Sequence, residues 1–509
     1  MSQTASKASG APDANRWKAL VFIALAQLMV VLDSTIVNIA LPSAQQDLGI
    51  SDGNRQWVVT AYALAFGGLL IFGGRIADLW GRKRAFVTGL AGFAVASALG
   101  GAATNEAMMF GARALQGVFG ALLAPAALSL LTVMFTNAKE RAKAFGIYTA
   151  ISGGGAAVGF ILGGVLTEYL DWRWTFFVNI PFAIIAAAGA YFVIREPGGG
   201  RNSSPLDLPG AVLSTLGLVC LVYSFTRAET DGWGDAVTVG LFAAAAVLLA
   251  VFVLVEAKSK APLLPLRVLT ERNRGGAYLS LGLAIIGMFG TFLFLTYYLQ
   301  IVKGYSPVST GFAFLPLVVG MVTGSAQVGT QLVTRLAPRL VMGPAFLVAA
   351  LGLFLLTQLQ TGSSYASLVL PGMLLLGLGI GTAFMPAMAL SAQGVAPRDA
   401  GVASAMVNTS QQVGGAIGTA LLNTIAASAT ASYLTEHTAA AATGRSQQLV
   451  QMQAMVHGYT HAIWCAVAIL VLAAVIAVTF INAGRPGATT AAGSGEAVQD
   501  GPTVPVIVH

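Results

Sequence analysis

Fourteen predominantly apolar stretches, most of them 17 to 28 residues long, alternate along the chain with short polar gaps. They cover residues 19–41, 57–76, 85–103, 107–135, 144–167, 174–194, 210–226, 236–255, 275–302, 309–333, 342–361, 367–390, 401–427 and 458–482. About 20 apolar residues in a helix cross a hydrocarbon core of roughly 30 Å, so each stretch predicts a membrane-spanning helix. The expected fold class is an all-α polytopic membrane protein. The first stretch lacks the short apolar core and small-residue cleavage site of a signal peptide and is expected to remain as a span.

The spans are not equivalent. Spans seven and eight are nearly featureless Ala/Val/Leu helices, and the breaks flanking them are polar or rich in Gly, Ser and Pro. The chain therefore divides into a tail (1–18), a six-helix bundle (19–194), a linker region carrying spans seven and eight (195–274), a second six-helix bundle (275–482) and a second tail (483–509). The tails have no pattern able to bury a core and read as disordered. Membrane carriers are often built from repeated halves with the substrate site between them. The polar segment 428–457 reads as a partly helical cap on the outer side.

Composition narrows the choice further. Of 509 residues, 56% are hydrophobic and 9% charged, against about 25% charged in soluble domains. A net charge of +7 matters less here than where the Lys and Arg residues lie. With the N-terminus inside, 21 of the 27 fall on the cytoplasmic side, 5 outside and 1 within the bilayer. Both termini are therefore expected in the cytoplasm, on a multi-pass protein of the cell's inner (plasma) membrane. Cys220 and Cys465 fall within spans, so no disulfide framework is suggested. The four histidines lack metal-ligand spacing, and no Gly-rich phosphate loop ending in Lys-Ser/Thr is present. No cofactor, metal, nucleic acid or obligatory protein partner is expected, and no nucleophile or cofactor motif points to an enzyme.

Two charges stand apart from the rest. Asp33 in span one and Arg113 in span four lie deep in their apolar stretches, about eight and six residues from the outer ends, or roughly 12 and 9 Å at 1.5 Å per residue. An ionised group at mid-bilayer costs roughly 2.5–3.5 kcal/mol on insertion scales, which marks such residues as functional candidates. One reading is structural: Arg113 neutralises Asp33 and ties two helices together. The other is a working pair, because burial disfavours a carboxylate's charge and a nearby Arg favours it. A conformational change that alters either influence would let Asp33 load and release a proton.

The short loop after span two reads Gly73-Gly74-Arg75-Ile76-Ala77-Asp78-Leu79-Trp80-Gly81-Arg82-Lys83-Arg84. Gly74 and Gly81 are expected to allow close helix approach and a tight turn, and Asp78 can pair with Arg82 one turn on. A basic loop that only sets topology would not need this spacing of Gly, Asp, Gly, Arg and Lys.

This loop resembles the signature of the major facilitator superfamily. Residues 32–42, beginning Leu32-Asp33-Ser34, are similar to the first-span motif of its fourteen-span drug–proton antiporter branch. Arg113-Ala114-Leu115-Gln116-Gly117, residues 172–181 and residues 408–415 also resemble that branch. The resemblance covers about residues 17–482. It implies two six-helix bundles plus two extra central helices, fourteen in all. It further implies alternating access, with Asp33 and Arg113 in proton coupling and Gly74, Asp78, Gly81, Arg82 and Lys83 as a conformational latch.

One departure stands out. Where the family's antiporter motif in span five has a proline, this chain has Phe160, among Gly155, Gly159, Gly163 and Gly164. The small residues still make a flat face for close packing, but the kink a proline brings should weaken.

In span thirteen Asn408, Gln411 and Gln412 share a face, and amides facing lipid would be costly. That face is either cavity lining or inter-helix glue. Asn38, Tyr62 and Gln116 are further candidate wall residues. The latch residue Asp78 is expected to face the start of span thirteen, at Pro397 and Asp399. The function these features imply is export of a small amphipathic organic molecule, a drug, antibiotic or toxic metabolite, in exchange for protons across the lipid bilayer. The alternative is a proton-coupled importer or metabolite carrier of the same fold.

Overall fold

Inside lipid every backbone polar group needs an internal partner, which leaves the helix as the available form for a run of apolar residues. A computed structural model describes residues 15–135, 137–194, 207–259, 262–393, 395, 400–437 and 444–484. The described residues form helices and connections, without a strand. Most of the tails (1–14 and 485–509), the stretch 195–206 and the Pro397–Asp399 segment lie outside the described residues, while residues 16–18 of the expected first tail already belong to a helix.

Among the described residues fourteen long helices follow one another. The first six are α1 (Arg16–Leu48), α2 (Trp57–Trp80), α3 (Arg82–Gly101), α4 (Glu106–Met134), α5 (Ala138–Tyr169) and α6 (Trp174–Val193). A hairpin follows, α7 (Leu208–Thr230) and α8 (Ala236–Lys258). The last six are α9 (Arg272–Val302), α10 (Pro307–Gly329), α11 (Pro338–Leu356), α12 (Tyr365–Ser391), α13 (Ala400–His437) and α14 (Gly444–Phe480). Thirteen are long and apolar enough to cross a membrane. The fourteenth, α5, is a helix of 32 residues whose apolar part is Gly154–Tyr169.

Glycine rows set the close contacts. Gly155, Gly159 and Gly163 lay α5 against Leu28, Val31, Thr35 and Ile36 of α1. In the second half Gly414 and Gly418 let α13 approach the backbone of α9 at Gly282 and Ile286. Such spacing at i, i+4 and i+8 allows backbones to meet without intervening side chains. The hairpin is peripheral: the most apolar part of α8 is only 11% buried, as its Ala/Val/Leu content anticipates. α6 is interrupted at Val178, between the segments Trp174–Phe177 and Asn179–Val193. Pro181 lacks the N–H that would bond the Phe177 carbonyl, which accounts for the break.

The two halves meet at one end. Call the end that holds the start of α1 proximal and the opposite end distal. A single apolar core joins Val37, Ile39, Ala40 and Leu41 of α1 to Phe294, Leu295, Tyr298 and Phe314 of the second half. A separate core around Ala19, Ile23, Phe86, Leu130 and Ala190 belongs to the first half and lies toward the proximal end. Polar contacts between the halves gather at the distal end as well. Gln300 Nε2 donates to the Ile39 carbonyl (2.9 Å), the Tyr297 hydroxyl bonds Gln45, and the Val308 N–H donates to Glu168 (2.9 Å). The described state is therefore closed distally.

The expected outer cap takes a more regular form. α13 runs on to His437 and α14 begins at Gly444, so the described parts of the segment 428–457 are extensions of two long helices. Tyr433 stacks on His437 with ring centroids 4.0 Å apart and lies 4.9 Å from His457.

Candidate functional site

Asp33 sits midway along α1, and Arg113 lies in the distal half of α4. Helix geometry at the two depths estimated from sequence brings them face to face. Arg113 Nη1 donates to Asp33 Oδ2 at 2.6 Å, and the two side chains are 1% and 0% exposed. Removing one member of such a buried pair typically costs about 3–5 kcal/mol, because the remaining charge is left uncompensated.

Neutral groups complete a cage around the pair. Asp33 Oδ1 accepts from Gln116 Nε2 and from Asn179 Nδ2, each at 2.8 Å. Arg113 Nε donates to the Val58 carbonyl at 2.7 Å, and its Nη1 also reaches Gln116 Oε1 at 2.7 Å. Gln116 Nε2 contacts Ser97 Oγ at 2.8 Å. The Tyr62 ring covers the guanidinium 4.5 Å away, with Phe176 at 5.9 Å. Cation–aromatic contacts of this kind are worth about 2 kcal/mol or more when desolvated. Helices α1, α2, α3, α4 and α6 thus each contribute a side chain or carbonyl.

The remaining candidates fall into three places. Gln116 and Tyr62 belong to this sealed cage rather than to an open wall, and Asn38 is buried with its amide on the Ser34 carbonyl. Asn408, Gln411 and Gln412 on α13 are partly buried, and Gln412 packs over Gly67 of α2. Gly155, Gly159 and Gly163 face α1 on the stretch that carries Asp33, whereas Gly164 meets the backbone of Pro307 and Val308 in the other half.

Phe160 points the same way as Gly164. It is buried, stacks on Phe314 at 4.9 Å and meets Phe292 edge-on at 5.9 Å. α5 is one continuous helix through this position. The residue that replaces the proline is an aromatic contact between the halves, which sequence alone did not indicate.

The signature segment is not the loop expected: residues 73–80 end α2, Arg82 opens α3, and the chain turns at Gly81 alone, whose φ of 109° favours glycine. Asp78 pairs with Arg82 one turn on, at 3.5 Å. Lys83 Nζ donates to the Tyr191 carbonyl of α6 at 2.6 Å. The close approach to α4 falls at Gly73, which lies against the Ala121 backbone, and not at Gly74, whose neighbour Pro125 sits at ordinary contact distance. The expected partner of Asp78 at Pro397 and Asp399 lies outside the described residues.

Sequence reasoning passed over two residues. Asn179 stood within the motif at 172–181 but showed no sign of touching Asp33. Arg55, counted only as a topological charge between spans one and two, is 5% exposed. It donates to Asn423 of α13 at 3.3 Å and lies 4.2 Å from the Tyr297 ring. Glu256 and Arg274, near helix ends, are also buried. Among the described residues no group of His, Cys, Asp and Glu is arranged to hold a metal ion.

Comparison with known proteins locates this arrangement. Residues 23–419 match the Major Facilitator Superfamily. The chain is 53% identical over 480 residues to puromycin resistance protein pur8 of Streptomyces alboniger, covering 94% of this chain and 93% of that protein. It is 39% identical over 416 residues to cephamycin export protein CmcT of Amycolatopsis lactamdurans, covering 81% and 85%. Among solved structures, a bacterial homolog to the human lysosomal transporter Spinster superposes with a TM-score of 0.66 at 16% identity, covering 92% of this chain and 97% of that one.

Proposed function

The chain belongs to the major facilitator superfamily, and on that footing we propose that this multi-pass membrane transporter exports antibiotics in exchange for protons. It is a transporter and not an enzyme. The relatives are named for resistance to or export of puromycin, cephamycin, tetracenomycin and lincomycin. Puromycin is the first compound to test.

The observation that carries the reading is the caged Asp33–Arg113 pair. Protonation of Asp33 removes the charge on which Arg113, Gln116 and Asn179 converge. Arg113 then lacks its counter-ion in a site of low polarity, and the cage must rearrange or the proton must leave. That requirement ties proton binding to the packing of α1 against α4, and hence to the opening of the halves.

The two six-helix bundles, 19–194 and 275–482, rock about a central cavity, with α7 and α8 flanking it. Both termini lie in the cytoplasm, so the distal closure seals the exterior side of the inner membrane. Asn408, Gln411 and Gln412 line the substrate path. The loop of Gly74, Asp78, Gly81, Arg82 and Lys83 latches the cytoplasmic side in the alternate state. One charge crossing 100 mV is worth about 2.3 kcal/mol, enough for a substrate gradient of roughly fiftyfold.

The test is efflux of puromycin from proteoliposomes driven by a pH gradient, with Asp33→Asn beside the parent protein. Loss of pH-driven flux with normal insertion is expected. Parent-like flux from the Asn variant would remove Asp33 from the coupling mechanism, and accumulation of puromycin in cells would reverse the direction.

A further inference from the structure

The buried Asn179 amide is half satisfied. Its Nδ2 donates to Asp33 Oδ1 at 2.8 Å, while its Oδ1 is buried without a hydrogen-bond partner. An orphaned buried acceptor usually costs about 1–3 kcal/mol, so its presence beside the deepest acid calls for a reason.

Three other acceptors of the cage are engaged. Gln116 Oε1 takes Arg113 Nη1, Ser97 Oγ takes Gln116 Nε2, and the Val58 carbonyl takes Arg113 Nε. Tyr62 Oη also lacks a partner, but it is directed toward Gly120, a turn beyond Gln116 on α4. The charged and titratable groups facing Asp33 are Arg113 from α4 and Tyr62 from α2. Ser97 from α3 and Asn179 from α6 are neutral.

We propose that Asn179 is the positioning residue that accommodates the proton on Asp33. This rests on the proton-coupling reading above. An amide carries both a donor and an acceptor on one short side chain. With Asp33 ionised, the amide presents its NH₂ to the carboxylate. With Asp33 protonated, the carboxyl is itself a donor and needs an acceptor. Turning the amide over brings Oδ1 to the place Nδ2 held, and the new O–H donates to it. One bond is exchanged for another, so the new O–H of the acid is paired, while the amide NH₂ moves to the place Oδ1 held. Gln116 cannot exchange in this way while its oxygen is occupied by Arg113.

Infrared difference spectra between acid and alkaline pH test this on the full chain in lipid, with isotope-labelled Asn. Protonation of Asp33, identified by a carboxyl band missing in Asp33→Asn, should shift a side-chain amide carbonyl band that is absent in Asn179→Leu. In proteoliposomes, Asn179→Leu should lower pH-driven efflux about tenfold, mostly in rate rather than in half-saturating concentration. Asn179→Thr, whose hydroxyl can donate or accept, should stay within about threefold of the parent. An amide band that does not respond to Asp33 protonation overturns the proposal, and the labelled parent protein gives that answer even if the Leu variant fails to fold. So does an Asn179→Leu protein with parent rate and pH profile. Sustained pH-driven efflux by Asp33→Asn instead defeats the coupling reading itself.

Discussion

Arg55, on the turn just before α2, lies 4.2 Å from the ring of Tyr297 on α9 and donates to Asn423 of α13, so one buried cation joins the first half to two helices of the second. Its Asp52 neighbour, 3.3 Å away, is exposed and stays with Arg55 on the same loop when the halves part. The closure of the distal end therefore replaces water around a guanidinium with an aromatic face and an amide.

Arg55→Ala should bias the transporter toward distal opening. A cation–aromatic contact is worth about 0.5–2 kcal/mol, which shifts a two-state equilibrium roughly two- to thirtyfold. Spin-label distances between the distal ends of α2 and α13 report the populations, and an unaltered distribution would rule out a gating role.

Gly164 presses directly on the other half. A methyl group added there would sit 2.6 Å from the Pro307 carbonyl oxygen and 2.7 Å from Val308 Cα, both backbone atoms with little freedom to move. Gly164→Ala should wedge the distal end open. Gly146, with open space around it, is the control position for the same substitution. Equal reactivity of distal cysteine probes in the two variants would contradict the wedge.

Arg113→Ala leaves Asp33 with two neutral donors and no cation. The expected loss of stability is about 3–5 kcal/mol, read from thermal unfolding in detergent. Arg113→Lys should recover part of it, since lysine restores charge but cannot serve Asp33, Gln116 and the Val58 carbonyl with one planar fork. If Ala and Lys variants melt together near the parent temperature, the pair contributes little to the fold.

Asp78→Asn removes a partly exposed pair with Arg82. Such pairs contribute about 0–1 kcal/mol, so stability should barely change. Transport should still slow, because the proposed latch acts in the alternate state. The result that sinks the latch is slowed transport with the cysteine-labelling ratio of the two cavity sides left at the parent value.

Much of the architecture was legible before any coordinates. Fourteen apolar stretches became fourteen long helices, since lipid leaves a hydrophobic run little alternative to internal hydrogen bonding. The bland composition of spans seven and eight marked the hairpin whose second helix is the least buried. Asp33 and Arg113 were conspicuous because charge is so rare in those stretches, and their matching depth anticipated a pairing that the structure makes at 2.6 Å.

What sequence left open depended on rotation and partner choice. Helical periodicity places a residue on a face but does not say which neighbour that face meets. Gln116 and Tyr62 had the chemistry of cavity walls, yet the rotation of α4 and α2 turns them into the cage around Arg113. Phe160 marked a missing proline in the sequence; its stacking on Phe314 exists only once α5 meets α10. Arg55 counted as an ordinary charge between two spans until the second half folded against it. The chain's own chemistry determined that it crosses the bilayer and which ionised pair it buries there. Only tertiary packing decided what surrounds that pair, because burial and hydrogen bonding in a bundle are properties of helices brought together and not of any one of them.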